Sequence, residues 1–166
     1  MTVTASSAKR RWSAAVVLAA AAGFVAAPAV ARPDISGTGI GTLRLGMSPE
    51  AAAARGWIKR TSSPCNSGWR VARYSKQLSV AVWQGKVMAM STSSSRFATS
   101  KGVRPGDSIR LLKARYPVTR LGTNRYTSGA VLGVPGTDLY FTMQGGRVSS
   151  IELANGFVPD GSAFEC

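Results

Sequence analysis

Few side chains in this sequence could carry covalent or proton-transfer chemistry. Cys65 and Cys166 are the only cysteines, and there is no histidine. Without a C-x-x-C pair or an imidazole to generate a thiolate, reactive-thiol chemistry is disfavoured. The expected use of the pair is a structural disulfide between Cys65 and Cys166. It would tie the last residue to the first half and close a loop of about a hundred residues, worth roughly 4–5 kcal/mol in the chain-entropy account. The carboxylates away from the chain ends are Glu50, Asp107, Asp138, Glu152 and Asp160, and no two recur at a shared spacing. Glu50 and Asp107 suit helix starts, and Asp138 follows Pro135-Gly136-Thr137 as a turn residue. No serine sits in a nucleophile elbow, and no glycine-rich stretch ends in the Lys-Ser/Thr of a phosphate loop. The expectation is a protein that is not an enzyme, with no catalytic residue, no metal site and no cofactor.

Recognition chemistry is better represented. Trp83, Lys86, Met88 and Met90 cluster in one stretch, and Tyr140, Arg147 and Ile151 in another. Aromatic, methionine and basic side chains together are the mixture that interface centres favour. Two further pairs, Trp69-Arg70 and Arg73-Tyr74, have the aromatic-basic alternation that suits stacking on nucleic-acid bases.

The N-terminus sets the compartment in which these groups would act. Lys9, Arg10 and Arg11 precede a run rich in Ala, Val, Leu and Gly up to Val30, and Ala29-Val30-Ala31 offers small residues to a signal peptidase. This order is that of a secretory signal peptide over residues 1–31, with cleavage expected after Ala31. An uncleaved anchor is the alternative, since the run nearly reaches the roughly 20 apolar residues of a membrane span. Pro28 disfavours a continued helix there. Arg10-Arg11 also suggests twin-arginine export, but the surrounding residues fit the general route better. No cysteine follows the apolar run, which excludes a lipidated N-terminal Cys. In an exported chain an even cysteine count favours the disulfide. The Ala-rich apolar run has a bacterial character.

Cleavage leaves 135 residues, enough for one domain. It also leaves 18 basic residues against seven acidic ones, a net charge of +11. Such an excess calls for anionic company or serves solubility alone. The charges are spread from Arg32 to Arg147 without a block, which is the weaker kind of signal.

Two stretches at an offset of 60 resemble each other. Gly46-Met47-Ser48-Pro49-Glu50 leads into Ala51–Arg55, and Gly106-Asp107-Ser108 leads into Ile109–Arg115. Further on, Gln84-Gly85-Lys86-Val87 is answered by Gln144-Gly145-Gly146-Arg147-Val148. The matching order suggests an internal repeat. In each copy a serine is the expected N-cap of a short helix, the first ending near Gly56 and the second at Pro117. Ile109, Leu112 and Tyr116 share one apolar face of the second helix. A hairpin follows in each copy. The first alternates through Leu78, Val80 and Val82, turns at Gln84-Gly85 and returns through Val87–Met90. The second alternates through Leu139, Phe141 and Met143 and turns at Gly145-Gly146. If Trp83 pairs with Lys86, then Leu78, Val80, Val82 and Val87 face the core. The opposite face then carries Trp83, Lys86, Met88 and Met90, with Tyr140, Arg147 and Ile151 in the second copy. Strands are also expected over residues 69–75 and 125–131, with Ser91–Ser95 as a polar joint. The expected fold is α+β: two tandem copies of a short helix and an antiparallel sheet, the first over residues 32–96 and the second, followed by a C-terminal tail, over 97–166.

On these motifs, "Leu-Gly-Met-Ser-Pro-Glu" before an Ala-rich helix and a strand-rich tail, twice over, the chain resembles the tandem helix-plus-sheet repeats of secreted β-lactamase inhibitory proteins. It is similar to the single-unit envelope lipoproteins of the outer-membrane assembly class. It resembles most closely a group of secreted actinobacterial proteins in which "Gly-Val-x-x-Gly-Asp-Ser", here Gly102 to Ser108, opens the second copy. The resemblance covers most of residues 36–155 and implies a non-catalytic scaffold whose sheet holds a partner. The inhibitors carry a disulfide inside each repeat, whereas Cys166 lies outside both copies, and no residue here matches an inhibitor's contact set.

The expected function is that of an exported interaction module, with a protein of the envelope or surroundings as the favoured partner. An anionic envelope polymer is the alternative. Nucleic acid ranks lower because exported proteins seldom meet it, and membrane contact is expected only through an uncleaved signal.

Overall fold

The computed structural model describes residues 34–62, 68–72, 76–124 and 127–155. Ala31, Cys65 and Cys166, and so the expected cleavage site and disulfide, lie outside the described residues. Among those residues no helix is long and apolar enough to cross a membrane.

The architecture is dominated by strands, with two short helices among the described residues. The elements run β1 (Asp34–Ser36), β2 (Gly39–Ile40), β3 (Leu43–Arg44), α1 (Pro49–Ala54), β4 (Ile58–Arg60), β5 (Trp69–Val71), β6 (Ser79–Trp83), β7 (Lys86–Thr92), β8 (Ala98–Thr99), α2 (Ile109–Arg115), β9 (Thr119–Thr123), β10 (Ala130–Gly133), β11 (Leu139–Gln144) and β12 (Arg147–Ala154). The centre of the molecule is a six-stranded sheet in the order β6-β7-β12-β11-β10-β9. Every neighbouring pair in it is antiparallel. The pairing of β7 with β12 joins the two hairpins into one sheet. A small sheet of β3, β2, β1 and β8, in which β1 and β8 run parallel, and the β4–β5 hairpin complete the fold.

Both helices are short and depend on their ends. Ser48 Oγ accepts from the Ala51 N–H at 3.2 Å, and Ser108 Oγ from the Leu111 N–H at 3.3 Å, so each serine satisfies an otherwise orphaned donor of the first turn. The loops before the helices are held to the hairpins in the same way. The Gly46 N–H donates to Val87 O and the Val87 N–H to Met47 O, both at 2.8 Å. The Gly106 N–H donates to Val148 O at 2.7 Å, and the Val148 N–H to Asp107 O at 2.8 Å. Gly46 and Gly106 sit at φ 76° and 98°, values an L side chain rarely adopts.

One face of the sheet makes the main core. Leu78, Val80, Val82 and Val87 are buried there as the alternation indicates, with Phe141, Met143, Val148 and Leu153 beyond them. Ala52 of α1, Leu112 of α2 and Ile35, Ile40, Leu43, Phe97 and Val103 close the same cluster. Tyr116 packs on Phe141 with ring centroids 5.5 Å apart.

Trp83 does pair with Lys86 and Val82 with Val87, but a β-bulge then shifts the register, so Ala81 faces Ala89 and Val80 faces Met90. Met88 is the extra residue. From there the alternation of β7 is inverted, and Met90 comes to the core face, fully buried. The second hairpin bulges at the matching place: Met143 pairs with Val148, then Thr142 with Ser150 and Phe141 with Ile151. Ile151 therefore also lies in the core at 1 % exposure. Met90 and Ile151 are thus removed from the opposite face to which strict alternation assigned them.

Three other boundaries differ from expectation. Residues 127–129 are not strand, and the segment expected there resolves into β9 before it and β10 after it. β5 ends at Val71, with Ala72 no longer strand, and residues 73–75 of the expected strand lie outside the described residues. β7 continues through Thr92 into the segment expected as a joint, because Ser91 and Thr92 pair with Glu152 and Ile151.

Candidate partner-binding face

The face of the large sheet turned away from the core carries small and polar residues in its middle and apolar ones at its margins. Ser79, Ser91, Glu152, Tyr140 and Gly133 lie in register across β6, β7, β12, β11 and β10. Beside them run Ala81, Ala89 and Ala154, a second buried cluster separate from the main core.

Trp83 stands at one corner. It is 65 % exposed, the most exposed large hydrophobic side chain described. It is aimed by the tight hairpin turn, whose residues Gln84 and Gly85 both have positive φ, 48° and 70°. Such a turn matches the strand twist and holds the last strand residues in place. Lys86, its cross-strand partner, is exposed, and Met88, set out of line by the bulge, is half-buried.

Tyr140 lies further across, half-buried in the same face. Burial pushes its hydroxyl pKa above the ordinary 10.0, and the charges of Asp138 and Glu152 push the same way. Leu121, 44 % exposed on edge strand β9, adjoins it over Gly133. A Cβ added at Gly133 would come within 2.6 Å of Leu121 Cδ1 and 3.4 Å of Tyr140 Cδ1. Leu121 has no counterpart among the residues read from the sequence. β9 bulges against β10 between the pairs Val131–Gly122 and Leu132–Arg120, which places Leu121 as an unpaired extra residue.

Arg147 does not join Trp83. The two hairpin turns lie at opposite ends of the sheet because β7 and β12 are antiparallel and overlap only from Ala89 to Thr92. At about 3.3 Å per residue this separates Lys86 from Arg147 by roughly 30 Å along the strands. Arg147 is moreover engaged: its Nη1 donates to Gly106 O at 2.8 Å, tying the β11–β12 turn to the loop before α2. Of the proposed partner-binding residues, then, Trp83, Lys86 and Met88 form one cluster and Tyr140 stands apart from them. Arg147 serves the fold at the far end, and Met90 and Ile151 are core.

Trp69 is buried, with the Arg60 guanidinium 5.3 Å from its ring centre, so its face is taken by a neighbour of the same chain. Basic side chains do gather on α2, where Arg110, Lys113 and Arg115 are all exposed. Nearby, Lys101 lies 4.8 Å from the centre of the Tyr116 ring. Among the described residues no three His, Cys, Asp or Glu side chains come together as a metal site would need.

No known protein family, curated protein or solved structure matches the chain.

Proposed function

We propose that this protein is an exported, non-catalytic interaction module that holds a protein partner against the face of its large sheet opposite the core, with Trp83 as the anchor. The exposure of Trp83 carries the reading. A tryptophan kept 65 % in water on a rigid turn forgoes the burial available to it, and such a side chain is what a partner's pocket desolvates most profitably. Lys86 and Met88 supply the basic and adaptable apolar contacts around it. Tyr140 and Leu121 form a second apolar contact toward β9.

The proposal includes the tandem repeat. Its support is the recurrence of the same pair of backbone bonds, between a Gly-x-Ser helix lead and a hairpin valine, in both halves. The matching bulges at Met88 and Ser149 add to it. It also includes export, supported by the order of basic, apolar and small residues over positions 1–31.

The test is capture of envelope and culture-fluid proteins by oxidised residues 32–166, with Trp83→Ala as the comparison. Loss of an anchoring tryptophan costs at least about 2 kcal/mol, roughly 30-fold in affinity. A captured protein held equally by both chains would overturn the role of Trp83. The second reading, an anionic envelope polymer held by Arg110, Lys113 and Arg115, predicts binding that collapses with salt and ignores Trp83.

A further inference from the structure

The large sheet ends in two edge strands, β6 and β9, and the two are not alike. The β4–β5 hairpin adjoins β6, and Val80 and Val82 of β6 have further partners. Among the described residues β9 pairs with β10 alone, and no backbone group from Thr119 to Thr123 bonds outside that ladder. Thr119, Arg120, Leu121 and Thr123 are exposed, and Gly122 is half-buried. The free side of such a strand offers a row of N–H and C=O groups to any extended chain that can lie beside it. Protected edges carry lysine, proline or an inward charge. β9 carries one charge, Arg120, and its bulge pushes outward a leucine that is 44 % exposed.

We propose that β9 pairs antiparallel with β9 of a second copy, about a two-fold axis through Leu121, and so joins two six-stranded sheets into one. The residues of β9 complement themselves in this register. Leu121 faces the partner's Leu121, Arg120 faces the partner's Gly122, and Thr119 faces the partner's Thr123. An apolar pair at the centre and threonine pairs at the ends are favourable cross-strand combinations, and each guanidinium lies opposite a residue with no side chain. A register centred on Arg120 would instead set the two guanidiniums face to face. The contact is isologous, so it closes at two copies. Both outer faces then lie on the same side of the joined sheet. The Leu121 and Tyr140 side chains of the two copies come together toward its middle, and the Trp83 side chains stand at its far margins. A ladder of five residues buries less than the roughly 1,200 Å² of a stable complex, so the dimer is a transient one. Trp83 belongs to the opposite edge strand, so this pairing and the role of Trp83 as an anchor can each fail without the other.

The experiment is sedimentation velocity of oxidised residues 32–166 from low micromolar to millimolar concentration. Leu121→Arg, Leu121→Glu and an equal mixture of the two are run beside the unmodified chain. The unmodified chain is expected to pass from the mass of one copy to that of two. Each charged variant alone should associate at least roughly tenfold more weakly, because like charges meet on the axis, and the mixture should regain the association. Every copy carries a large positive charge, so added salt should tighten the dimer. The mass of one copy at every concentration would overturn the proposal. So would association that Leu121→Arg leaves unchanged, which would place the contact elsewhere on the chain, or a mixture no tighter than its components. If a Leu121 variant does not fold, the double change Thr119→Lys and Thr123→Lys sets like charges opposite each other at both ends of the same ladder and should abolish the dimer equally.

Discussion

The two hairpin bulges decide which residues hold the fold together, and paired substitutions on either side of one bulge test this directly. Met90 is fully buried opposite Val80, whereas Trp83, seven residues earlier on the same hairpin, is 65 % exposed. Truncating a fully buried methionine to alanine costs about 2–5 kcal/mol from lost transfer energy and the cavity left behind. Truncating an exposed side chain away from caps and strained backbone stays within about 0.5 kcal/mol. With a urea m-value of roughly 1.5 kcal/mol per molar, a loss of about 3 kcal/mol lowers the denaturation midpoint by about 2 M. Trp83→Ala should move it by no more than about 0.3 M on the same m-value. The assay is urea unfolding of oxidised residues 32–166, followed by far-UV circular dichroism, so that loss of Trp83 does not remove the signal. A Met90→Ala midpoint within about 0.3 M of the unmodified protein would mean that β7 alternates without a bulge. A Trp83→Ala shift matching that of Met90→Ala would make Trp83 core and remove the proposed anchor.

Ser108→Ala should lower stability by about 1 kcal/mol, since the Leu111 N–H loses its acceptor, while Ser108→Asp should restore most of it in the same unfolding assay. Tyr140 gives a pH prediction. Its folded pKa is raised, so its contribution to stability is fully present below the ordinary value of 10.0 and is lost as pH rises through the folded value. Unfolding midpoints should therefore fall above about pH 10, and Tyr140→Phe should flatten that fall. An identical alkaline slope in both chains would refute the assignment.

Much of the local structure was legible because it depends on side chains with strong positional preferences. Ser48 and Ser108 as caps, Gln84-Gly85 and Gly145-Gly146 as turns, and Val80, Val82 and Val87 as one buried stripe each follow from a short-range rule. The bulges were not legible. A bulge adds a residue without changing composition, and Val87–Met90 reads as plain alternation with Met88 and Met90 both turned outward. That one residue of slip is the reason Met90 and Ile151 moved to the core. The small β1–β2–β3–β8 sheet was missed for a different cause. Its strands are two or three residues long, too short for an alternation to register, and β8 joins β1 across more than sixty residues of chain. Leu121 was missed because its position depends on a third irregularity, between β9 and β10.

These irregularities also account for how one sheet can serve two purposes. Unbroken alternation in β7 would place Met88 and Met90 on the same face, and the outer face would become a broad apolar surface prone to association. The bulge sends Met90 inward to fill the core and leaves Ala89 as the outward residue between Ala81 and Ala154. The second hairpin does the same with Ile151, so its outward neighbours in register are Ser150 and Glu152. The outer face is thereby made small in its middle, with Trp83 at one corner and Leu121 beside Tyr140 toward β9. A surface built this way is small and flat in its middle and presents its large side chains only at its margins.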